Sequence, residues 1–210
     1  MAHETTERDP ANEASDSSID HIRNLDDPKT LRALTHPVRL ALLEALTLEG
    51  PLTATAAGEL IGESPTTCSF HFRQLAKYGF VEEAGAGPGR QRPWKVVQHG
   101  MRFDDLHEDP ETSIAAKSLE RMVFGRAMNR REEYYNARPR YPREWQEATD
   151  DIETILMVTP AELREVLADV MRIFDRFRDR ISDPTSRPAD TLPVEVLTFA
   201  YPIKHPGSSQ

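Results

Sequence analysis

Between Thr53 and Tyr78 the chain reads TATAAGELIGESPTTCSFHFRQLAKY, and the punctuation at its middle leaves few ways to fold. Gly62 follows Ile61, and glycine tolerates the left-handed conformation that a helix end often needs. Ser64 then suits an N-cap, and Pro65 the first helical position, where a missing N–H costs nothing. The stretch is predicted as a helix from about Thr53 to Ile61, a tight turn, and a second helix from Pro65. In the second helix Thr67, Cys68, His71, Phe72 and Leu75 recur at three- and four-residue spacing and share the inward face. Thr66, Ser69, Phe70 and Arg73 are left facing outward, with Pro65 at the tip.

The next residues have the composition of a hairpin. Residues 79–97, GFVEEAGAGPGRQRPWKVV, put strand-forming runs at Phe80–Ala84 and Trp94–Val97 on either side of GAGPGRQRP. That loop is too rich in Gly and Pro to pack, yet it carries Arg90 and Arg92. Helix, turn, helix and hairpin is the order of a winged helix-turn-helix, whose second helix enters the major groove of double-stranded DNA. Hydroxyls at Thr66 and Ser69 can pair with several bases, and Arg73 suits guanine or a phosphate. Phe70 suits thymine methyl groups. Arg90 and Arg92 suit phosphate or minor-groove contact. The candidate DNA-binding residues are therefore Pro65, Thr66, Ser69, Phe70, Arg73, Arg90 and Arg92. The plainer alternative is a helical hairpin with a polar outer face and a solvated arginine turn.

Net charge at first argues against DNA, since the 210 residues carry -9. Its distribution decides otherwise. Residues 1–27 hold 2 Lys/Arg against 8 Asp/Glu, residues 28–100 hold 8 against 6, and residues 101–210 hold 16 against 21. The only positive balance falls on the candidate DNA-binding segment, which predicts modest, salt-sensitive non-specific binding. Residues 1–26 are acidic and aperiodic, as expected of a disordered tail.

Asp27 before Pro28 starts another helical signal, PKTLRALTHPVRLALLEALTL. Pro37 divides it into a short helix to Thr35 and a longer one to Leu48. His36 reads as a boundary residue rather than a ligand. Arg39 suits an ion pair or a phosphate contact.

On these residues a family resemblance rests. LRALTHPVRLALLEAL, the helix SPTTCSFHFRQL, the entry YGFVEE and the return GRQRPWKV together resemble the DNA-binding domain of ArsR-like winged-helix transcription regulators, over roughly residues 27–100. The resemblance implies a cytoplasmic homodimer that reads a pseudo-palindromic operator. By position it carries DNA contact to Thr66, Ser69, Phe70 and Arg73, with Arg90 and Arg92 in the wing. Metal sensing is common among such proteins, and here the chain departs from that pattern. Cys68 is the sole cysteine, and a lone inward cysteine reads as a small core residue. His99, Asp104, Asp105, His107 and Glu108 make a ligand-rich patch that reads as a solvated acidic loop. No metal and no cofactor are expected.

Beyond the wing, 101–111 reads as linker and 101–210 as a helical dimerisation or effector region. Ala115, Ala116, Leu119, Met122, Val123 and Ala127 form one helical stripe, and ARPRYPRE (137–144) breaks it. Trp145, Ala148, Ile152, Ile155 and Leu156 form a second. Thr159-Pro160-Ala161-Glu162 is a capping box, opening a third stripe from Leu163 to Ile181. Such stripes are most economically buried in a homodimer. The last element, LPVEVLTFAYPI (192–203), reads as a strand that must pair with the partner subunit or with another edge of this chain. Tyr134, Tyr135, Tyr141, Trp145, Phe174 and Phe177 can line a pocket for a small-molecule effector of unknown identity, or be core.

The fold class expected is mainly α with a small β wing: a winged helix-turn-helix plus a helical C-terminal region ending in a strand. No apolar run reaches the ~18 residues of a membrane span. A nucleophile elbow, a phosphate loop, a metal motif and a dinucleotide fingerprint are all missing from the sequence, so no enzyme is expected. A winged helix used as a protein-interaction module is the alternative.

Overall fold

The computed structural model describes residues 22–85, 92–97, 100–102 and 107–204. Helix α1 (Pro28–Leu34) begins as its sequence dictates, with the Asp27 carboxylate accepting from the Thr30 N–H at 2.8 Å and from its hydroxyl at 2.7 Å. Helix α2 (Pro37–Glu49) is capped by His36, whose Nδ1 accepts from the Val38 N–H at 3.2 Å. Helices α3 (Ala54–Ile61) and α4 (Pro65–Lys77) come next, capped by Thr53 and by Ser64, the latter as expected. The short strands are β1 (Ile22–Asn24), β2 (Val81–Glu83), β3 (Trp94–Val96) and β4 (Gly100–Arg102).

Strands β2 and β3 pair antiparallel, with Val81 opposite Val96 and Glu83 opposite Trp94. Leu52 adds a bridge on the other side of Trp94, exchanging backbone bonds of 3.0 and 2.8 Å. The loop before α3 is thereby tied to the wing. Leu31, Leu34, Leu42, Cys68, Phe72 and Leu75 lie fully buried where α1, α2 and α4 meet. Burial on this scale stabilises each side chain by roughly 1.5–3 kcal/mol relative to exposure.

Helix α5 (Pro110–Ala137) is the longest element. Its N-cap Asp109 holds Thr112 by the same pair of bonds that Asp27 makes to Thr30. Ala115, Ala116 and Leu119, which the sequence assigns to the 101–210 region, join the core of the first helices. After a 3-10 turn at Arg138–Arg140 come α6 (Arg143–Ala148), α7 (Pro160–Asp175) and α8 (Asp179–Ser182). The capping box at Thr159 and Glu162 forms as expected.

Three expectations need correction. The sequence predicts an acidic tail over 1–26, but residues 22–24 form a strand, parallel to β4; residues 1–21 lie outside the described residues. The linker expected from 101 accordingly begins inside β4. The stripe from Trp145 to Leu156 does not continue as one helix, because α6 stops at Ala148. There the Thr149 hydroxyl turns back to the Trp145 carbonyl at 3.1 Å, and Arg131 and Tyr135 hold Asp151 at 2.6 Å each. Finally, 192–203 pairs with no other strand of this chain among the described residues. Side chains anchor it on α5: the Phe199 ring meets Phe124 edge-on at 5.5 Å, and Glu195 pairs with Arg130. Neither contact offers a row of backbone donors and acceptors, and a strand exists only by such a ladder.

Candidate nucleic-acid interface

The turn between α3 and α4 is built by backbone. Gly62 closes α3 in the left-handed region, φ 74° and ψ 29°. The N–H groups of Gly62 and Glu63 both donate to the Gly58 carbonyl, at 2.9 and 3.0 Å. A Cβ on Gly58 would lie 2.5 Å from the Glu63 carbonyl oxygen, so only glycine lets the chain return this closely. Helix α4 then starts with the Ser64 hydroxyl accepting from the Thr67 N–H at 3.0 Å and sharing a 2.8 Å bond with the Thr67 hydroxyl.

The faces of α4 fall close to expectation. Cys68, His71, Phe72 and Leu75 are buried, and Thr67 is half-buried because its hydroxyl serves the cap. Pro65, Thr66 and Arg73 are exposed, and the Phe70 ring is 52% exposed. Ser69, expected outward, is half-buried. Five of the seven candidates, Pro65, Thr66, Ser69, Phe70 and Arg73, thus stand together along the first turns of one helix. Arg73 has no ion-pair partner among the described residues. Its charge is therefore available to a ligand.

The wing is fastened to that helix by the Phe72 and Trp94 rings, stacked 5.6 Å apart at 20°. Arg92 is exposed and pairs with Glu83 at 2.7 Å, while Lys95 pairs with Glu82 at 3.0 Å. Both described cations of the wing are therefore paired with carboxylates of β2. Arg90 lies outside the described residues.

Two contributions are not visible in the sequence. Arg23 of β1 donates to the Tyr78 carbonyl at 2.6 Å and lies 4.5 Å over the Phe80 ring, so it caps the C-terminus of α4. No local pattern in the acidic N-terminal segment marks it. Beneath the exposed face, the His36 and His71 rings lie 4.5 Å apart, and His71 meets Phe70 edge-on at 5.2 Å. Burial holds both imidazoles below their ordinary pKa; the Arg39 charge adds to this at His36, and His36 and Arg39 add to it at His71. Glu63 opposes the shift at both. Burial also pushes the Cys68 thiol up, away from the reactive thiolate.

Among the described residues no three His, Cys, Asp or Glu side chains come together as a metal site. His99, Asp104 and Asp105 lie outside the described residues. The aromatic set does not gather as one. Tyr134 meets Tyr135 at 5.4 Å and Tyr141 at 5.2 Å, while Phe177 is packed by Arg176 and Arg180. No helix among the described residues is long and apolar enough to cross a membrane.

The family model described as "Helix-turn-helix domain" matches residues 34–84. Among solved structures, the homodimeric winged helix-turn-helix DNA-binding domain (fragment 1–100) of Mb0332 from Mycobacterium bovis, a possible ArsR-family transcriptional regulator, is 17% identical. It covers 59% of this chain and 90% of its own, with a TM-score of 0.30. Reduced HlyU from Vibrio cholerae is 16% identical and covers 54% of this chain and 93% of its own, with a TM-score of 0.28. None of the curated proteins compared with this chain matches it.

Proposed function

We propose that the chain, whose residues 34–84 match the helix-turn-helix domain model and whose elements run helix, turn, helix and hairpin, is an ArsR-like winged-helix, sequence-specific transcription regulator. In this reading a cytoplasmic homodimer binds a pseudo-palindromic operator. Each subunit lays α4 in a major groove, with half-sites about one helical turn, ~34–36 Å, apart. Thr66 and Ser69 make polar contacts, Phe70 the apolar one, Arg73 a base or phosphate contact, and Pro65 marks the leading end. Arg90 and Arg92 anchor the wing.

The observation that carries this reading is the outward set Thr66, Phe70 and Arg73 on a helix whose buried face is locked to the core by Cys68, Phe72 and Leu75. An exposed phenylalanine is unfavourable in water and, beside an arginine that engages no carboxylate among the described residues, useful against a groove. Residues 27–100 would supply DNA binding and 101–210 dimerisation. Dimerisation is supported by the apolar face left uncovered by α7 and the turn after it, with Val166 and Ile173 on the helix and Phe177 just beyond it exposed.

The ion pairs of the wing favour a second reading. Glu82 and Glu83 neutralise Lys95 and Arg92, which suits a protein-interaction module as well as a DNA reader. Capture of genomic fragments by the purified chain across a salt series separates the two. Enrichment of a short near-palindrome, weakened by salt and lost in the Arg73→Ala/Arg90→Ala double variant, establishes the DNA reading. Capture indifferent to salt and to both substitutions overturns it.

A further inference from the structure

We propose that His71 is a positioning residue for Phe70: the uncharged imidazole, standing between the His36 ring and the Phe70 ring, holds Phe70 where it can meet DNA, and protonation of the histidine pair releases it. The proposal rests on the reading of Phe70 as a DNA contact.

The geometry has three parts. His71 is 8% exposed, its Nδ1 is buried with no hydrogen-bond partner among the described residues, and its ring is gripped on two sides by aromatic contacts of 4.5 and 5.2 Å. No hydrogen bond to another described residue holds this imidazole on its Nδ1 side, so a proton added there meets no partner. His36 is fixed in the opposite sense, because its Nδ1 must remain an acceptor to cap α2 through Val38. Protonation there would convert the acceptor into a donor facing a donor.

Two fixed charges of opposite sign act on the pair. Arg39 of α2 stands beside both rings, its Nε buried without a partner and its Nη2 reaching the Arg32 carbonyl at 3.4 Å; Tyr78 lies beyond it. Glu63, in the turn before α4, is the one carboxylate acting on the rings. Of the other charged groups on the elements packed against α4, Arg32 of α1 pairs with Glu111, Glu44 of α2 with Arg126 and Arg130, and Glu82 and Glu83 of β2 with Lys95 and Arg92, while Lys29 of α1, Glu49 of α2 and Glu59 of α3 make no ion pair among the described residues. A second and third positive charge beside Arg39 would drive the imidazolium toward water. Phe70, in edge contact with His71 and its neighbour on the same turn, moves with it.

The sign of the consequence is distinctive. Adding positive charge under a DNA-binding face ordinarily raises affinity for DNA as pH falls. Here specific affinity should fall in mild acid instead. Both histidines are depressed below the ordinary ~6.5, so the neutral, Phe70-holding state is complete above that value and is lost as pH drops beneath it.

The test is made on the full chain in two arms. In the free protein, histidine and phenylalanine ring signals are followed by NMR from about pH 7.5 to about pH 5. The expected result is that His36 and His71 titrate below the ordinary range and that the Phe70 ring shifts with the same midpoint. A Phe70 ring that stays still while His71 titrates overturns the proposal, whatever the protein binds. In the second arm, affinity for the captured fragment is measured over the same range. The wild type should lose about tenfold or more, His71→Gln should be flat, and His36→Asn, which keeps a good N-cap, should be shallower. Affinity that rises in acid, or an equal fall in the variants, overturns it. If His71→Gln does not fold, His36→Asn and the wild-type ring titration still decide. If no fragment is selected at any pH, the DNA reading fails, and the first arm still judges whether His71 positions Phe70.

Discussion

Gly58 and Glu63 approach so closely that a Cβ on the first would sit 2.5 Å from the carbonyl oxygen of the second. The turn that aims α4 is set by this contact, with the Gly58 carbonyl also receiving the N–H groups of Gly62 and Glu63. Gly58→Ala should therefore destabilise the fold by ~1–3 kcal/mol, the usual cost of overpacking. An exposed helical glycine replaced by alanine would instead gain about 0.5–1 kcal/mol. Chemical unfolding of the variant reads the sign, and a net gain would show that the turn can shift freely.

Arg73 is exposed and engages no carboxylate among the described residues, so its removal should leave stability unchanged. Arg73→Ala should weaken binding to the selected sequence by ~1–3 kcal/mol if it reads a base, and relax preference at that position. If it meets a phosphate, binding should weaken uniformly across sequences, with a shallower salt slope. Titrations against matched and scrambled duplexes distinguish these, and unchanged affinity for both removes Arg73 from the site.

Arg23 links the segment before α1 to the far end of α4. Its guanidinium donates to the Tyr78 carbonyl at 2.6 Å and covers the Phe80 ring. Arg23→Ala should cost about 1–3 kcal/mol of stability, since a charge-assisted bond to a carbonyl and a cation–π contact are lost together. Calorimetry checks this. A truncation removing β1 should show at least the same loss; if it melts like the full chain, the cap is ornamental.

Asp27 is held below the usual carboxylate range, first by the Thr30 hydroxyl and then by the Thr30 N–H. A depressed carboxylate contributes stability that is complete above its unfolded pKa of about 3.9 and is lost as pH falls through the lower folded value. Asp27→Asn keeps a side-chain acceptor at the cap but cannot titrate, so its unfolding free energy should fall less steeply with acid below about pH 4. Parallel acid-unfolding curves for the two proteins would mean the cap contributes nothing that protonation removes.

The helical order from Asp27 to Lys77 is legible because its signals are local. Asp27-Pro28, His36-Pro37, Gly62 and Ser64-Pro65 each mark a helix boundary through the φ they permit and the orphan N–H they satisfy, and those constraints act within four residues. The same holds for Thr159 and Glu162. The outward set on α4 is legible as well, since a 3.6-residue period is enough to separate Phe70 and Arg73 from Phe72 and Leu75.

Anything that depends on which distant segment arrives beside which is beyond the reach of the sequence. Val194, Val196 and Phe199 have the composition of a strand, yet backbone pairing requires a facing edge, and α5 presents side chains. Arg23 reads as part of an acidic tail, and only the parallel pairing of β1 with β4 brings it to Tyr78. His36 reads as a boundary residue, which it is, but its 4.5 Å approach to His71 exists only because α2 and α4 cross. Period, propensity and capping are properties of a short stretch of chain, so the sequence alone determined the helices from Pro28 to Lys77 and the outer face of α4. Burial, charge environment and strand pairing are properties of a meeting between stretches, so only the tertiary structure decided how the end of α4 is capped, what lies beneath Phe70, and which carboxylates stand against Arg92 and Lys95.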